Sequence, residues 1–133
     1  MSIVANFVHR APADTREPLR LAAVADLVPL DTLRHKVHQH LQAARAAVRR
    51  NEFLDLDLAE SLAATLLDLL NAAEGYDEDG RRIVQAAVAY FADADTAEAD
   101  FSDIAGFEDD RSVVIAAAVT LDRSELVSDL TLD

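Results

Sequence analysis

The segment Leu30–Arg50, LDTLRHKVHQHLQAARAAVRR, decides the fold class because its apolar residues follow a helical period. Apolar positions recur at spacings of three and four, which places them on one face of an α-helix. These positions are Leu30, Leu33, Val37, Leu41, Ala44 and Val48. The stripe could face the core of its own chain, or it could join two copies in a homodimer. A core-facing helix needs no second chain and is the simpler interpretation.

Four further segments carry a similar period and bring the expected number of helices to about five. They cover approximately residues 17–28, 54–73, 81–91 and 109–121. Gly75 is typical of a helix end, and Tyr76–Gly80 (YDEDG) predicts a turn. Residues 1–16 are expected to be a loose N-terminal segment, and residues 122–133 a loose or short helical tail. We therefore expect one all-α domain over residues 1–133, with bundle-like or orthogonal packing.

The composition favours the same fold class and excludes several kinds of chemistry. The chain is rich in Ala and Leu and has 3 Gly in 133 residues, a composition that favours helices over sheets. It has no Cys, which excludes disulfides, thiolate–metal sites and thiol nucleophiles. The N-terminus lacks a signal-peptide pattern, and no apolar run approaches the roughly 18 residues of a membrane span. We expect a cytoplasmic protein that does not associate with membranes.

Charge is divided unevenly along the chain, whose formal net charge is −13. Residues 1–50 hold 8 Lys and Arg against 4 Asp and Glu, whereas residues 51–133 hold 4 Arg against 21 acids. An acidic surface disfavours nucleic-acid binding, which requires Lys and Arg to neutralise phosphates. It is compatible with a basic protein partner, with divalent cations, or with solubility alone.

The positive charge of the first half is concentrated on the helix predicted for the opening segment. Arg34, His38, Arg45 and Arg49 form a basic helix face. This face could contact phosphates, but no recognised nucleic-acid motif accompanies it. We expect it instead to face acidic segments of this chain or of a second subunit.

An acidic connector, Tyr90–Asp110 (YFADADTAEADFSDIAGFEDD), joins the last two predicted helices and contains 8 carboxylates without any Lys or Arg. Carboxylates at this density repel one another unless a cation, a basic surface or a helix N-terminus compensates them. Candidate ligands for Ca²⁺ or Mg²⁺ are Asp93, Asp100, Asp109 and Asp110, because hard cations require several convergent oxygens. Alternatively, Asp109 or Asp110 caps the helix that follows.

The connector also carries an ordered motif. A helix ends in Tyr and an apolar residue, an Asp-containing loop follows, and a Gly-aromatic-x-Asp-Asp step leads into an apolar helix. Its residues are Tyr90, Phe91, Asp93, Asp100, Phe101, Gly106, Phe107, Asp109 and Asp110. The motif resembles the YkvA-type family, small bacterial helical proteins grouped as a domain of unknown function. Residues Ala94, Ala99 and Asp103 stand where that family has prolines, and Thr96 stands where it has an Asp.

The resemblance covers about residues 81–121 and implies an all-α fold without a known reaction. It marks Asp100, Gly106, Asp109 and Asp110 as fixed points of the motif. From the residues themselves, no nucleophile elbow, phosphate-binding loop or dinucleotide fingerprint is present. We therefore predict no catalytic residue and no cofactor other than a divalent cation.

The function expected from these features is a non-enzymatic protein-interaction module. It would bind a basic partner through the acidic C-terminal two-thirds of the chain, since that part carries the excess of carboxylates. The alternative is a divalent-metal-dependent enzyme or metal-sensing domain that uses the Asp-rich loop over residues 93–110.

Overall fold

The computed structural model describes residues 2–49, 55–92 and 108–131, and the regular secondary structure in these ranges is helical. The helices are α1 (Ile3–Arg10), α2 (Arg16–Val24), α3 (Leu30–Ala47), α4 (Leu56–Ala73), α5 (Glu78–Ala92), α6 (Glu108–Thr120) and α7 (Ser128–Thr131). Short 3₁₀ turns, Ala13–Thr15 and Ser124–Val127, precede α2 and α7. The all-α prediction is confirmed for this part of the chain.

Helix α5 lies at the centre of the fold and contacts α1, α2, α3, α4 and α6. Its Ile83, Val84, Val88 and Phe91 are at most 1% exposed. The burial continues around the helix, because Gly80 and the polar Gln85 are buried as well. A helix buried on most sides must be surrounded by others, so α1, α2, α3, α4 and α6 pack around α5.

Helices α3 and α4 run antiparallel, as two ion pairs show. Arg34 near the start of α3 meets Glu74 at the end of α4, and Arg45 near the end of α3 meets Glu60 near the start of α4. The apolar stripe of α3 lies within the core, where Leu33, Val37, Leu41 and Ala44 are at most 9% exposed. The core-facing interpretation of the stripe is therefore confirmed. Other helices cover this stripe in the described fold, so burial within the chain accounts for it without a homodimer.

The N-terminal residues differ from the prediction of a loose segment. Helix α1 packs against α5 and α6 and buries Phe7 completely. The Ser2 hydroxyl caps this helix by accepting a hydrogen bond from the Ala5 N–H at 3.1 Å. Near the other terminus, the short helix α7 and the turn before it bury Leu130 and Val127 at 3% and 2% exposure. The short-helix version of the predicted tail is thus the one that the structure shows.

The linker between α2 and α3 is held by the carboxamide of Gln85 on α5. Its Oε1 accepts a hydrogen bond from the Val28 N–H at 2.7 Å. Its Nε2 donates to the carbonyl oxygens of Ala22 and Asp26, at 3.3 and 3.1 Å. Because these bonds satisfy both ends of the carboxamide, a buried polar side chain fixes the path of the linker.

Arg82, one helical turn before Gln85, holds the end of α2 in the same manner. Its Nη1 donates to the carbonyl oxygens of Ala23 and Ala25 at 2.9 and 2.8 Å. The expected continuation of this helix to Val28 is wrong, since its last carbonyls are bonded by side chains of α5 instead of by a further helical turn. The predicted turn at residues 76–80 is also shorter than expected, because α5 begins at Glu78.

The described helices include none that is both long and apolar enough to cross a membrane.

Candidate functional site

Most of the predicted loop motif lies outside the described residues. Asp93, Asp100, Gly106 and Phe107 belong to residues 93–107, between α5 and α6. In the described ranges, no three His, Asp or Glu side chains converge as ligands of a metal ion. The cation site built on the connector therefore stays a prediction.

Of the described motif residues, Tyr90 and Phe91 lie near the end of α5, and Asp109 and Asp110 lie in the first turn of α6. Helix α6 begins at Glu108, so neither Asp109 nor Asp110 occupies the cap position that the sequence suggested. Negative charge in a first turn still interacts favourably with the helix dipole. Asp110 is buried at 1% exposure, whereas Asp109 is exposed. Partial burial raises the pKa of Asp109, and the carboxylates of Asp14 and Glu108 raise it further.

The basic helix face proves to be partly internal. The guanidinium of Arg34 contacts Asp31 on its own helix at 2.6 Å. It also reaches the end of α4, where it lies 3.2 Å from the Asn71 side-chain oxygen and 3.4 Å from Glu74. Arg34 thus joins α3 to α4, in accordance with the expectation that this face meets acidic segments of the same chain.

The other residues of the basic face are more exposed. Arg45 lies 3.6 Å from Glu60 near the start of α4, and each side chain of this pair is nearly half exposed. His38 and Arg49 are exposed. The face therefore consists of two arginines that connect helices and two residues that point to solvent.

A shallow groove lies between α3 and the end of α5, beside the start of the connector. Its volume is about 340 Å³, and its lining includes Lys36, Gln39, His40 and Ala92. The His40 ring is 6% exposed and meets Phe91 edge-on, with ring centroids 4.6 Å apart. Burial lowers the pKa of His40 to about 4, so the imidazole is neutral at pH 7.

Sequence reasoning overlooked His40 as a buried residue, although a signal was present. His40 follows Val37 by three positions and precedes Ala44 by four, so it is in phase with the buried stripe of α3. The Arg and Lys residues on the same helix instead favour a solvent-exposed basic surface for its histidines.

A group of exposed carboxylates lies where α4 ends and α5 begins and in the turn after α6. We call it the acidic end; it comprises Glu74, Asp77, Glu78, Asp79, Asp122 and Glu125, all of which are exposed. The residues after α6 reach this surface because Arg123 Nε donates a hydrogen bond to the Tyr76 hydroxyl at 3.1 Å. The turn after α6 is thereby held against the segment between α4 and α5, and both carry exposed carboxylates.

Local backbone geometry fixes the carboxylates of the acidic end. Asp77 caps α5, since its Oδ1 accepts a hydrogen bond from the Gly80 N–H at 3.0 Å. Asp122 has a left-handed φ of 61°, a conformation that Asp tolerates better than most residues and that commonly ends helices. The Arg123 N–H then bonds the Ala118 carbonyl at 2.7 Å and closes α6.

The arginines around the acidic end spend much of their hydrogen-bonding capacity on backbone oxygens. Arg81 donates to the carbonyls of Ala73 and Glu74, at 3.2 and 3.4 Å, and so caps the end of α4. Arg82 binds the end of α2 and reaches the Glu78 carboxylate at 3.4 Å. Because these guanidinium groups stabilise helix ends, they neutralise the acidic surface only in part.

Comparison of the chain with protein-family models, with curated proteins and with solved structures found no match. The resemblance to the YkvA-type family accordingly rests on its motif residues alone.

Proposed function

We propose that this protein is an interaction module that binds a basic partner through its acidic C-terminal two-thirds, with the acidic end as a principal contact surface. The observation that supports the proposal is the assembly of exposed carboxylates from α4, α5 and the turn after α6 at one place. A surface of one charge sign attracts an oppositely charged partner from a distance and accelerates its association.

The proposed binding depends mainly on the carboxylates that have no cation of the same chain beside them. Within the described part of the chain, Asp79 and Asp122 make no ion pair, whereas Glu74, Glu78 and Glu125 each have an arginine within 4 Å. Lysine or arginine side chains of a partner would therefore meet exposed carboxylates, of which Asp79 and Asp122 have no cation to displace. Contacts that stay open to solvent avoid the desolvation penalty of a buried ion pair.

The experiment measures binding of a fluorescent oligolysine peptide by anisotropy, with an oligoglutamate peptide as the charge control. We expect oligolysine to bind and its affinity to fall steeply with salt, since the screening length shortens from about 10 Å at 0.1 M to about 3 Å at 1 M. Oligoglutamate should not bind. An affinity for oligolysine that is flat across this range would contradict the proposal.

A pair of matched variants tests whether the acidic end is the contact surface. Asp79→Asn with Asp122→Asn removes two charges there and keeps side-chain size; Asn also tolerates the left-handed backbone at position 122. Asp14→Asn with Asp57→Asn removes two exposed charges elsewhere. We expect the first pair to weaken oligolysine binding more than the second. Equal weakening would show that net charge alone attracts the peptide.

A further inference from the structure

The outer face of α2 exposes apolar side chains that the fold leaves uncovered. Leu21 and Val24 are 59% and 68% exposed, and Leu27 in the following linker is 38% exposed. Of the large apolar residues that the structure describes, Ile3 is the one other exposed residue. Leu21 and Val24 are three positions apart and share one side of the helix, which also carries Glu17 and Arg20.

The backbone beneath this face is fixed, so the exposure is not that of a loose end. Gln85 and Arg82 bond the carbonyls at the end of α2 and in the linker from the inner side. Val24 and Leu27 consequently keep their outward positions. An apolar surface that is already ordered loses little conformational entropy when a partner covers it.

We propose that the outer face of α2 is the contact between two copies of this chain, packed antiparallel about a twofold axis. With the axis midway between positions 21 and 24, Leu21 of each copy lies against Val24 of the other. The same register places Arg20 opposite Ala25 of the other copy, one residue from Asp26.

Charge complementarity identifies a second copy as the occupant. Asp26 is exposed and makes no ion pair with the other described residues, while Arg20 has only an exposed partner, Glu17, on its own helix. In the antiparallel register each Asp26 lies one residue from the position opposite Arg20, so it gains a cation, and Arg20 gains a second carboxylate besides Glu17. Complementary charges at an interface fix its register.

The charge around this face suits a second copy better than a basic partner. Glu17 and Asp26 are balanced by Arg20, which pairs with Glu17, and by Arg82, which binds the end of α2. This near balance contrasts with the acidic end and with the net charge of −13 for the chain. Two acidic chains can approach here with less repulsion than where carboxylates dominate.

The apolar area extends beyond α2 towards α1. A groove of about 310 Å³ runs between these helices, with Val4, Ala5 and Val8 in its wall and Arg20 at its edge. Stable interfaces bury about 1,200–2,000 Å² in total, which three apolar side chains from each copy do not reach alone. With the groove included, we expect a reversible dimer of micromolar affinity.

Sedimentation velocity of the intact chain, from about 1 µM to about 1 mM, tests the proposal over the range of weak dissociation constants. We expect monomers to convert to dimers as concentration rises. Dimerisation should strengthen with salt, because screening reduces the repulsion between two chains of charge −13. Oligolysine binding should respond to salt in the opposite direction, so the two proposals fail independently. A monomer at every concentration in both low and high salt would overturn this one.

Surface variants locate the contact. Leu21→Gln with Val24→Gln should raise the dimer dissociation constant at least about tenfold, whereas Ala64→Gln, at an exposed position of α4, should leave it unchanged. Asp26→Arg should weaken the dimer, and adding Arg20→Asp should restore it. A dimer insensitive to the paired Gln variant would refute the α2 contact. A monomeric chain in which that variant weakens oligolysine binding would assign the face to a basic partner instead.

Discussion

The acidic end and the outer face of α2 both lie at helix ends that arginines of α5 cap, but the first surface is charged and the second is apolar. Arg81 and Arg82 are adjacent on α5, yet Arg81 caps the end of α4 and Arg82 caps the end of α2. In each case a guanidinium group satisfies carbonyls at a helix end. One helix end leads into a surface of carboxylates, and the other leads into Val24 and Leu27.

Because of this difference, we expect binding through the two surfaces to depend on salt concentration in opposite directions. Attraction between the acidic end and a basic partner is electrostatic and weakens as salt screens it. Contact through the outer face of α2 is mainly apolar, and salt removes the repulsion that opposes it. The variants below disturb one surface while leaving the other as its internal control.

The largest expected effect comes from Gln85→Leu, which removes the carboxamide that holds the α2–α3 linker. It leaves the Val28 N–H and the carbonyls of Ala22 and Asp26 without this partner. We expect a loss of about 3 kcal/mol in the free energy of unfolding, because each buried unsatisfied group costs about 1–3 kcal/mol. Urea denaturation measures it.

The control for that substitution is Gln42→Leu, at an exposed position of α3, which should change stability by about 0.5 kcal/mol or less. The folded molecules of Gln85→Leu should dimerise more weakly, whereas their affinity for oligolysine should change less. The reason is that Gln85 bonds the end of α2 and the linker next to the outer face of α2. An unchanged unfolding midpoint for Gln85→Leu would show that the linker is not held as described.

At the acidic end, Gly80→Ala should destabilise the protein by about 1–3 kcal/mol, the usual range for overpacking. A Cβ added at Gly80 would lie 2.8 Å from the Tyr76 Cβ, so backbone atoms must move. Gly75→Ala is the matched control, because its nearest contact would be an ordinary 3.7 Å from the Ala72 oxygen. That variant should be neutral or stabilising, by up to about 1 kcal/mol. Equal thermal shifts for both would contradict the close packing at Tyr76.

The parts of this fold that the sequence predicts well are those with long apolar periods. The stripe of α3 runs over five turns, and α4, α5 and α6 show similar patterns, so their existence could be predicted. Helix α1 was missed because it has 8 residues, too few for a period to stand out from chance. The end of α2 was misplaced because its carbonyls bond to side chains 59 and 63 positions away.

The candidate surfaces were less predictable than the helices. Net charge indicated an acidic C-terminal region, but not that Tyr76 and Arg123 would bring its segments together. Leu21 and Val24 lie off the buried line of Leu19 and Ala23, but the sequence pattern alone could not show that they stay exposed. Asp93, Asp100, Gly106 and Phe107 lie outside the described residues, so their role stays a prediction.

The pH dependence of stability tests the burial of His40 in the core. His40 is expected to take up a proton near pH 6.5 when unfolded but only near pH 4 when folded. The unfolded chain therefore binds more protons between these values, and the contribution of His40 to stability, complete above pH 6.5, is lost as the pH falls towards 4. His40→Phe keeps an aromatic ring against Phe91 and should flatten this part of the pH dependence.

The measurement for His40 is a series of urea denaturations between pH 4 and 7 on both chains. The difference between them isolates the imidazole from the many carboxylates, which titrate in both. A constant difference across the window would show that His40 titrates normally.

The smallest expected effect on folding stability comes from Arg20→Gln. This variant distinguishes a role of Arg20 in the dimer contact from a role in the fold. The Arg20 and Glu17 side chains are 63% and 62% exposed, and exposed pairs of this kind contribute about 0.5 kcal/mol or less. Arg82→Gln should destabilise the protein more, since the Arg82 side chain is 24% exposed and binds two carbonyls. Arg20→Gln should nevertheless weaken the dimer measurably in sedimentation. If it lowered folding stability as much as Arg82→Gln, the charge of Arg20 would serve the fold, and the reason for placing it at a contact between two copies would disappear.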